Sequence, residues 1–148
     1  MCLIQLMMAL IKSSNLTSKD LDRITDNVNN TLTDEKGNEL FQNYLSRSQF
    51  VDGLANLSVY NECSEILKEQ NQSEEPLESL ITKVRRVKDI IEERDVNIAF
   101  RTMKGFNTEN REQLLNVLKD TKEQCQDNLR ILHKDFVRCV LKCKNALT

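Results

Sequence analysis

The sequence predicts an all-α fold, and three observations support that class. Gly and Pro are scarce, with three Gly and one Pro in 148 residues, so few positions interrupt a helix. Apolar residues recur at spacings of three and four along most of the chain. Polar stretches, and not runs of alternating apolar residues, separate these segments. We therefore expect a single helical domain over residues 1–148, a bundle of about seven to nine mostly short helices.

The N-terminal third predicts two helices and a break. Residues 2–11 are almost entirely apolar and predict a first helix that packs on the core. Thr17, followed three residues later by Asp20, has the order of a capping box and predicts the start of a second, short helix. Residues 29–36 are mostly polar, which predicts an irregular connection.

The middle of the chain predicts three helical segments. Residues 38–46 carry one apolar face over two turns. The next segment is expected to open at Gly53. Residues 69–75 predict a polar loop, which ends at Pro76, a residue suited to a helix start. The clearest helical period in the middle of the chain comes next: Leu77, Leu80, Ile81, Val84, Val87 and Ile91.

The last third predicts a long closing helix. Residues 95–105 break the preceding pattern, and Asn107 or Thr108 is a candidate cap for the next helix. That helix is expected to run on into the closing one without a full break. Its apolar stripe consists of Cys125, Leu129, Leu132, Phe136 and Val140, with Lys134, Asp135 and Arg138 on the opposite side.

Composition excludes several functions. The net charge is −2 and the two signs are mixed along the chain, so a nucleic-acid partner is not expected. Five Cys are an odd number, which argues against a complete disulfide framework and favours reduced core cysteines. Cys139 and Cys143 lie one turn apart, but with a single His in the chain we predict neither a metal site nor a cofactor.

No catalytic arrangement stands out. The chain has no glycine-rich phosphate loop and no nucleophile elbow. Any triad would need His133, the only histidine, and this residue lies beside the predicted buried stripe. We therefore expect His133 to pack or to be solvated, with no catalytic residues and no enzymatic activity of the chain itself.

Localisation is open to three interpretations. A cytoplasmic protein is the main one, with possible attachment to a membrane surface through the basic cluster around Arg85 and Arg86. Residues 1–11 resemble the hydrophobic region of a signal peptide, but no Lys or Arg precedes them and no cleavage pattern follows. Secretion is the minority interpretation, and it would give meaning to four Asn-x-Ser/Thr triplets.

Four segments in order resemble the regulator of G-protein signalling (RGS) domain. They are residues 33–45 (TDEKGNELFQNYL), 54–67 (LANLSVYNECSEIL), 94–98 (RDVNI) and 132–141 (LHKDFVRCVL). The resemblance covers roughly residues 21–144 and leaves the apolar helix at 2–11 as an addition. It implies an all-α bundle of about nine helices that binds the switch regions of an activated Gα subunit. Such domains speed GTP hydrolysis by steadying the switches, without supplying a catalytic base.

The resemblance also implies partner-binding residues. Asp135 and Arg138 match the acid and the arginine of the last helix. The family's contact loop falls at residues 50–53. Asp52 lies in its acidic part, and Gly53 takes the place of an asparagine that reaches the Gα switch. The second asparagine-bearing loop falls at Asn107 and Asn110.

Because Gly53 has no side chain, we expect GTPase activation to be weak or absent. The prediction is a divergent RGS-like interaction domain that binds a Gα subunit or serves as a scaffold. Two alternatives remain open at this point. One is a scaffold module of a membrane-trafficking protein, and the other is a secreted helical binding protein, cytokine-like or a ligand carrier. The sequence does not predict an oligomeric state.

Overall fold

The computed structural model describes all 148 residues and consists of eight helices without a strand. The all-α prediction is confirmed, and the helix number falls in the expected range. The helices are α1 (Leu3–Ser13), α2 (Ser18–Thr25), α3 (Val28–Thr33), α4 (Glu35–Arg47), α5 (Val51–Gln72), α6 (Leu77–Glu93), α7 (Phe100–Lys104) and α8 (Arg111–Leu147).

The helices divide between two compact units. Unit 1 comprises residues 1–54 and 129–148, and unit 2 comprises residues 55–128. Helices α5 and α8 each contribute residues to both units. In unit 1, α4 packs against α1 and α3, and α3 packs against α2.

Polar caps shape the first half of unit 1. The capping box predicted for α2 is confirmed, because the Asp20 N–H donates to Thr17 Oγ1 at 3.1 Å and the Thr17 N–H donates to Asp20 Oδ2 at 2.8 Å. The irregular connection predicted over residues 29–36 is wrong. Asn27 caps α3 and Asp34 caps α4, each accepting a backbone N–H at 2.8 Å. The polar side chains there begin helices, since Asn and Asp favour the N-cap position.

An aromatic cluster fills the centre of unit 1. Phe136 is fully buried, and its ring centroid lies 4.9 Å from that of Phe41 and 5.6 Å from that of Tyr44. The His133 ring meets the Phe41 ring edge to face at 5.6 Å, a favourable geometry for aromatic pairs. The apolar stripes predicted for α4 and for the last helix therefore meet here.

Aliphatic side chains, two cysteines and the rings of Tyr60 and Phe106 form the interior of unit 2. The α6 period is confirmed, with Pro76 at the N-cap and four of the six predicted face residues buried. Leu77 and Ile81 are only partly covered. Helix α5 extends to Gln72, so the polar loop predicted from residue 69 begins later than expected. The buried side chains that α5, α6 and α8 contribute to this interior include Leu57, Val59, Cys63, Leu80, Val84, Leu114, Leu118 and Cys125.

A polar network ties the start of α6 to the adjoining helices at the edge of unit 2. The Glu75 carboxylate accepts hydrogen bonds from Gln70 at 2.5 Å and from Ser79 at 2.6 Å, and it pairs with Lys83 at 2.9 Å. The Arg111 guanidinium donates to the Glu75 carbonyl oxygen at 2.6 Å. These bonds fix the short connection between α5 and α6.

Candidate protein-docking site

Three helices of unit 1 meet at Gly53. This residue lies in the first turn of α5, so the loop predicted over residues 50–53 is already helical from Val51 onward. A Cβ atom placed on Gly53 would lie 2.7 Å from Leu132 Cδ1 of α8 and 2.9 Å from Leu45 Cδ2 of α4. These separations are closer than side chains normally tolerate, so the absence of a side chain allows α8 to approach the start of α5.

The exposed side of α8 continues outward from that contact. Leu132 is half-buried, and Asp135 follows it on the next turn. Asp135 pairs with Arg138, with Oδ1 and Nη1 separated by 2.9 Å; the Arg138 side chain is exposed and that of Asp135 is about half-exposed. Ile131, Asp135 and Arg138 stand at positions i, i+4 and i+7, which lie on one face of a helix. Ile131 is 76% exposed, which is high for a large aliphatic side chain.

Tyr44 connects the buried cluster to this surface. Its ring lies 6.1 Å from that of Phe50, the residue directly before α5. Burial raises the pKa of the Tyr44 hydroxyl, and the nearby Asp135 carboxylate raises it further. We name the surface formed by Asp52, Gly53, Leu132, Asp135 and Arg138 the α5–α8 corner.

The corner brings together four of the six predicted partner-binding residues. Asp52, Asp135 and Arg138 present side chains at the surface, whereas Gly53 is buried. A side chain at position 53 would point toward Leu45 and Leu132, not toward an incoming protein. Gly53 therefore contributes close packing, and the exposed residue of this turn is Asp52.

The other two predicted residues, Asn107 and Asn110, belong to unit 2. Asn110 caps α8 by accepting the Gln113 N–H at 3.0 Å, so the cap predicted at Asn107 or Thr108 lies slightly farther along the chain. Asn107 is exposed and accepts a long hydrogen bond of 3.4 Å from Lys88 Nζ. It lines an open cleft of about 510 Å³ together with Arg85, Lys88, Asp89, Phe106, Thr108 and Glu109.

His133 is a buried structural residue. Thr31 Oγ1 donates its only proton to the Ile24 carbonyl at 2.6 Å, so its contact with His133 Nε2 at 2.7 Å requires that nitrogen to carry the proton. Burial lowers the pKa of His133 to about 4, and the positive charge of Arg130 acts in the same direction. The ring is thus neutral near pH 7 and fully engaged in packing.

The buried cysteines are also in an environment that disfavours reaction. Cys63, Cys125, Cys139 and Cys143 are buried and free, which confirms the expected core role, while Cys2 is exposed. Burial raises the pKa of Cys125 to about 12 and moves the pKa of Cys63 in the same direction. Their thiols are therefore protonated at neutral pH and poor nucleophiles.

No group of three or more His, Cys, Asp and Glu side chains is arranged to hold a metal ion. None of the eight helices combines the length and the apolar character needed to cross a bilayer.

One Asn-x-Ser/Thr triplet begins at Asn56, which is buried and accepts a hydrogen bond from Asn128 at 2.9 Å. That triplet is not accessible for glycosylation in the folded chain.

Sequence reasoning missed two features of the site. The bond between Thr31 and His133 joins residues 102 positions apart, and no local pattern signals such a pair. The contact of Gly53 with Leu132 was equally hidden, although a glycine inside a helical stretch is a signal for close packing.

Comparison with family models, curated proteins and solved structures finds no significant match to this chain.

Proposed function

We propose that this chain is a divergent RGS-like interaction domain that binds a Gα subunit through the α5–α8 corner. The observation that carries the proposal is the approach of α8 to the start of α5 at Gly53. It places Asp52 near the stretch of α8 that bears Asp135 and Arg138, residues more than eighty positions away in sequence. The order of RGS-like segments predicts that these stretches act together on a partner.

The chemistry of the corner favours protein binding over catalysis. An exposed aliphatic side chain, Ile131, stands beside the ion pair of Asp135 and Arg138. Arginine is enriched in protein interfaces, and charged pairs set the orientation of the partner. Asn107 and Asn110 stay as predicted partner contacts, which the proposal does not require.

Stimulation of GTP hydrolysis is expected to be weak. An activator of this kind must hold the attacking water and the switches in place with donors aimed at the transition state. Gly53 offers no side chain for that purpose, and the Asn110 side-chain oxygen already caps α8. Binding without strong acceleration is therefore the predicted behaviour.

A binding assay with a panel of Gα subunits tests the proposal. Immobilised chain is exposed to each Gα in the GDP form, the GTP-analogue form and the GDP–aluminium fluoride form, which mimics the transition state. We expect at least one subunit to bind in an activated form. The variant Arg138→Glu should weaken that binding at least tenfold, because it replaces an exposed cation of the corner with an acid.

Arg101→Glu in unit 2 is the matched control, since it makes the same charge reversal at another exposed arginine. It should bind like the parent chain. Absence of binding to every activated Gα would reject the Gα assignment. Equal losses in both arginine variants would show that net charge, and not the corner, governs the interaction.

A further inference from the structure

The C-terminal half of α8 carries a concentrated positive charge. Residues 130–148 contain five Lys and Arg and one acid, Asp135, whereas the whole chain has a net charge of −2. Four of the cations follow one another at steps of four residues, and two exposed aliphatic side chains lie among them. We name this surface the α8 basic face; it consists of Arg130, Ile131, Lys134, Arg138, Leu141 and Lys142.

Helix geometry places these six side chains on one side. At 100° per residue they fall within about 120° of arc, and the stretch from Arg130 to Lys142 is about 18 Å long. Ile131 is 76% exposed and Leu141 is 53% exposed. The buried stripe with Leu129, Phe136 and Val140 occupies the other side of the helix.

The stability of the helix does not explain this arrangement. Like charges at i and i+4 repel each other and destabilise a helix. The favourable interaction of cations with the helix dipole is confined to the last turn, which lies beyond Arg130 and Lys134. Some cations of the chain have close acidic partners, among them Arg138 of this face with Asp135 at 2.9 Å and Lys144 with Asp22 at 2.5 Å. Lys134 and Lys142 have no such partner.

We propose that the α8 basic face docks on an anionic lipid surface. Cationic side chains interspersed with exposed aliphatic ones are typical of helices that lie on membranes. The face is the outer side of a single helix, which suits a planar, laterally mobile array of negative head groups. It contains no aromatic side chain, and two of its four cations are lysines, a composition unlike that of the buried centre of a protein interface.

This inference rests on exposure and charge along α8 and is independent of the Gα assignment. Arg138 belongs to both surfaces, but Lys134 and Lys142 are outside the α5–α8 corner. A membrane bound to the basic face would cover Arg138, so lipid and a partner at the corner are expected to compete for that residue.

Vesicle sedimentation tests the proposal. The full chain is mixed with vesicles of phosphatidylcholine alone or with about 30% phosphatidylserine. We expect binding to the anionic vesicles only, with release as sodium chloride is raised to 0.5 M. The variant Lys134→Glu/Lys142→Glu should lower partitioning at least tenfold, because each lysine near such a surface strengthens binding about fivefold.

Two matched variants sharpen the result. Lys19→Glu/Lys68→Glu makes the same change in net charge at two other exposed lysines without ion-pair partners, and it should retain most of the binding. Arg85→Glu/Arg86→Glu removes the basic cluster of α6 and should also bind. Circular dichroism melting of each variant establishes that it is folded.

Three outcomes would overturn the proposal. The first is absence of parent binding to anionic vesicles at low salt. The second is equal binding by the parent chain and Lys134→Glu/Lys142→Glu. The third is a selective loss in Arg85→Glu/Arg86→Glu, which would move the lipid contact to α6. If the lysines of α8 prove necessary only for capture of an acidic protein, the face is a protein-binding surface instead.

Discussion

Unit 1 and unit 2 fill their interiors by different means. The centre of unit 1 is aromatic and includes a buried hydrogen bond between Thr31 and His133. The interior of unit 2 is mainly aliphatic, and its two buried rings, Tyr60 and Phe106, make no contact with another ring. Its polar network around Glu75 lies at the half-exposed edge. Aromatic rings and a buried polar bond permit few alternative arrangements. The unit that carries the proposed corner is thus the one in which contacts between rings constrain the interior.

The largest expected effect is the loss of the central ring of unit 1. Phe136→Ala removes a fully buried side chain that contacts Phe41, Tyr44 and His133. The free energy of unfolding should fall by about 3–5 kcal/mol, as measured by urea denaturation. Phe100→Ala, at a ring that is 75% exposed, should change it by less than about 0.5 kcal/mol. Similar losses in both variants would contradict the aromatic cluster as the centre of unit 1.

The next effect is a pH dependence specific to unit 1. The pKa of His133 is about 4 in the folded chain and 6.5 is its ordinary value. The unfolded chain therefore binds a proton first, and stability is complete above pH 6.5 and falls as the pH drops toward 4. Between pH 7 and 4.5 the loss should be about 2 kcal/mol.

His133→Gln isolates this contribution, because its amide can still donate to Thr31 but does not titrate. Thermal or urea unfolding across pH 4.5–7 should give a flatter profile for the variant. The carboxylates with lowered pKa, among them Asp20, Asp34 and Glu75, lose their contribution mainly below this window. Parallel profiles for the two chains would reject a neutral, buried His133.

Gly53→Ala should lower the free energy of unfolding by a smaller amount, because it crowds the contact between α4, α5 and α8. The new methyl group must displace the ends of Leu45 and Leu132, a cost only partly offset by the better helix propensity of Ala. We expect a net loss of about 1 kcal/mol. In a Leu132→Ala background the loss should be at least halved, since one of the two obstructing groups is gone. A Leu77→Ala background, in unit 2, should leave the cost of Gly53→Ala unchanged. If the costs of Gly53→Ala and Leu132→Ala simply add, the contact between position 53 and Leu132 is contradicted.

The smallest effect concerns the edge network of unit 2. Arg111→Ala removes hydrogen bonds to Gln70 and to the Glu75 carbonyl, at 2.9 Å and 2.6 Å. Because the guanidinium is partly exposed, the free energy of unfolding should fall by only about 0.5 kcal/mol, and by less at high salt. Arg101→Ala, at an exposed arginine, is the control and should leave the free energy of unfolding unchanged. If Arg111→Ala cost as much stability as Phe136→Ala, the edge network of unit 2 would matter as much as the aromatic cluster of unit 1, contrary to our expectation.

Local patterns predicted most of the fold. The periods of α6 and of the last helix, and the capping box at Thr17, depend only on neighbouring residues and are confirmed. The errors arose where polar residues have two possible roles. Asn27 and Asp34 begin helices in a stretch that their polarity predicted to be irregular. Residues 69–72 continue α5 for the same reason: polarity alone does not end a helix.

The site was less predictable because it depends on distant contacts. Asp135 and Arg138 are recognisable as an exposed pair from their spacing. That Gly53 lies against Leu132 is a consequence of tertiary packing, and so is the inward direction of any side chain at position 53. Sequence placed Gly53 where a partner contact was expected, whereas the structure shows a packing residue there with Asp52 exposed beside it.

The central claim is that the α5–α8 corner is the surface that binds a partner. The most direct measurement is the change in backbone amide NMR shifts of the ¹⁵N-labelled chain on addition of an activated Gα that binds it. We predict the largest changes at Asp52 and along Leu132–Arg138, with little change along the exposed side of α6. Changes concentrated on α6, or at the cleft beside Asn107, with none at the corner, would contradict the claim.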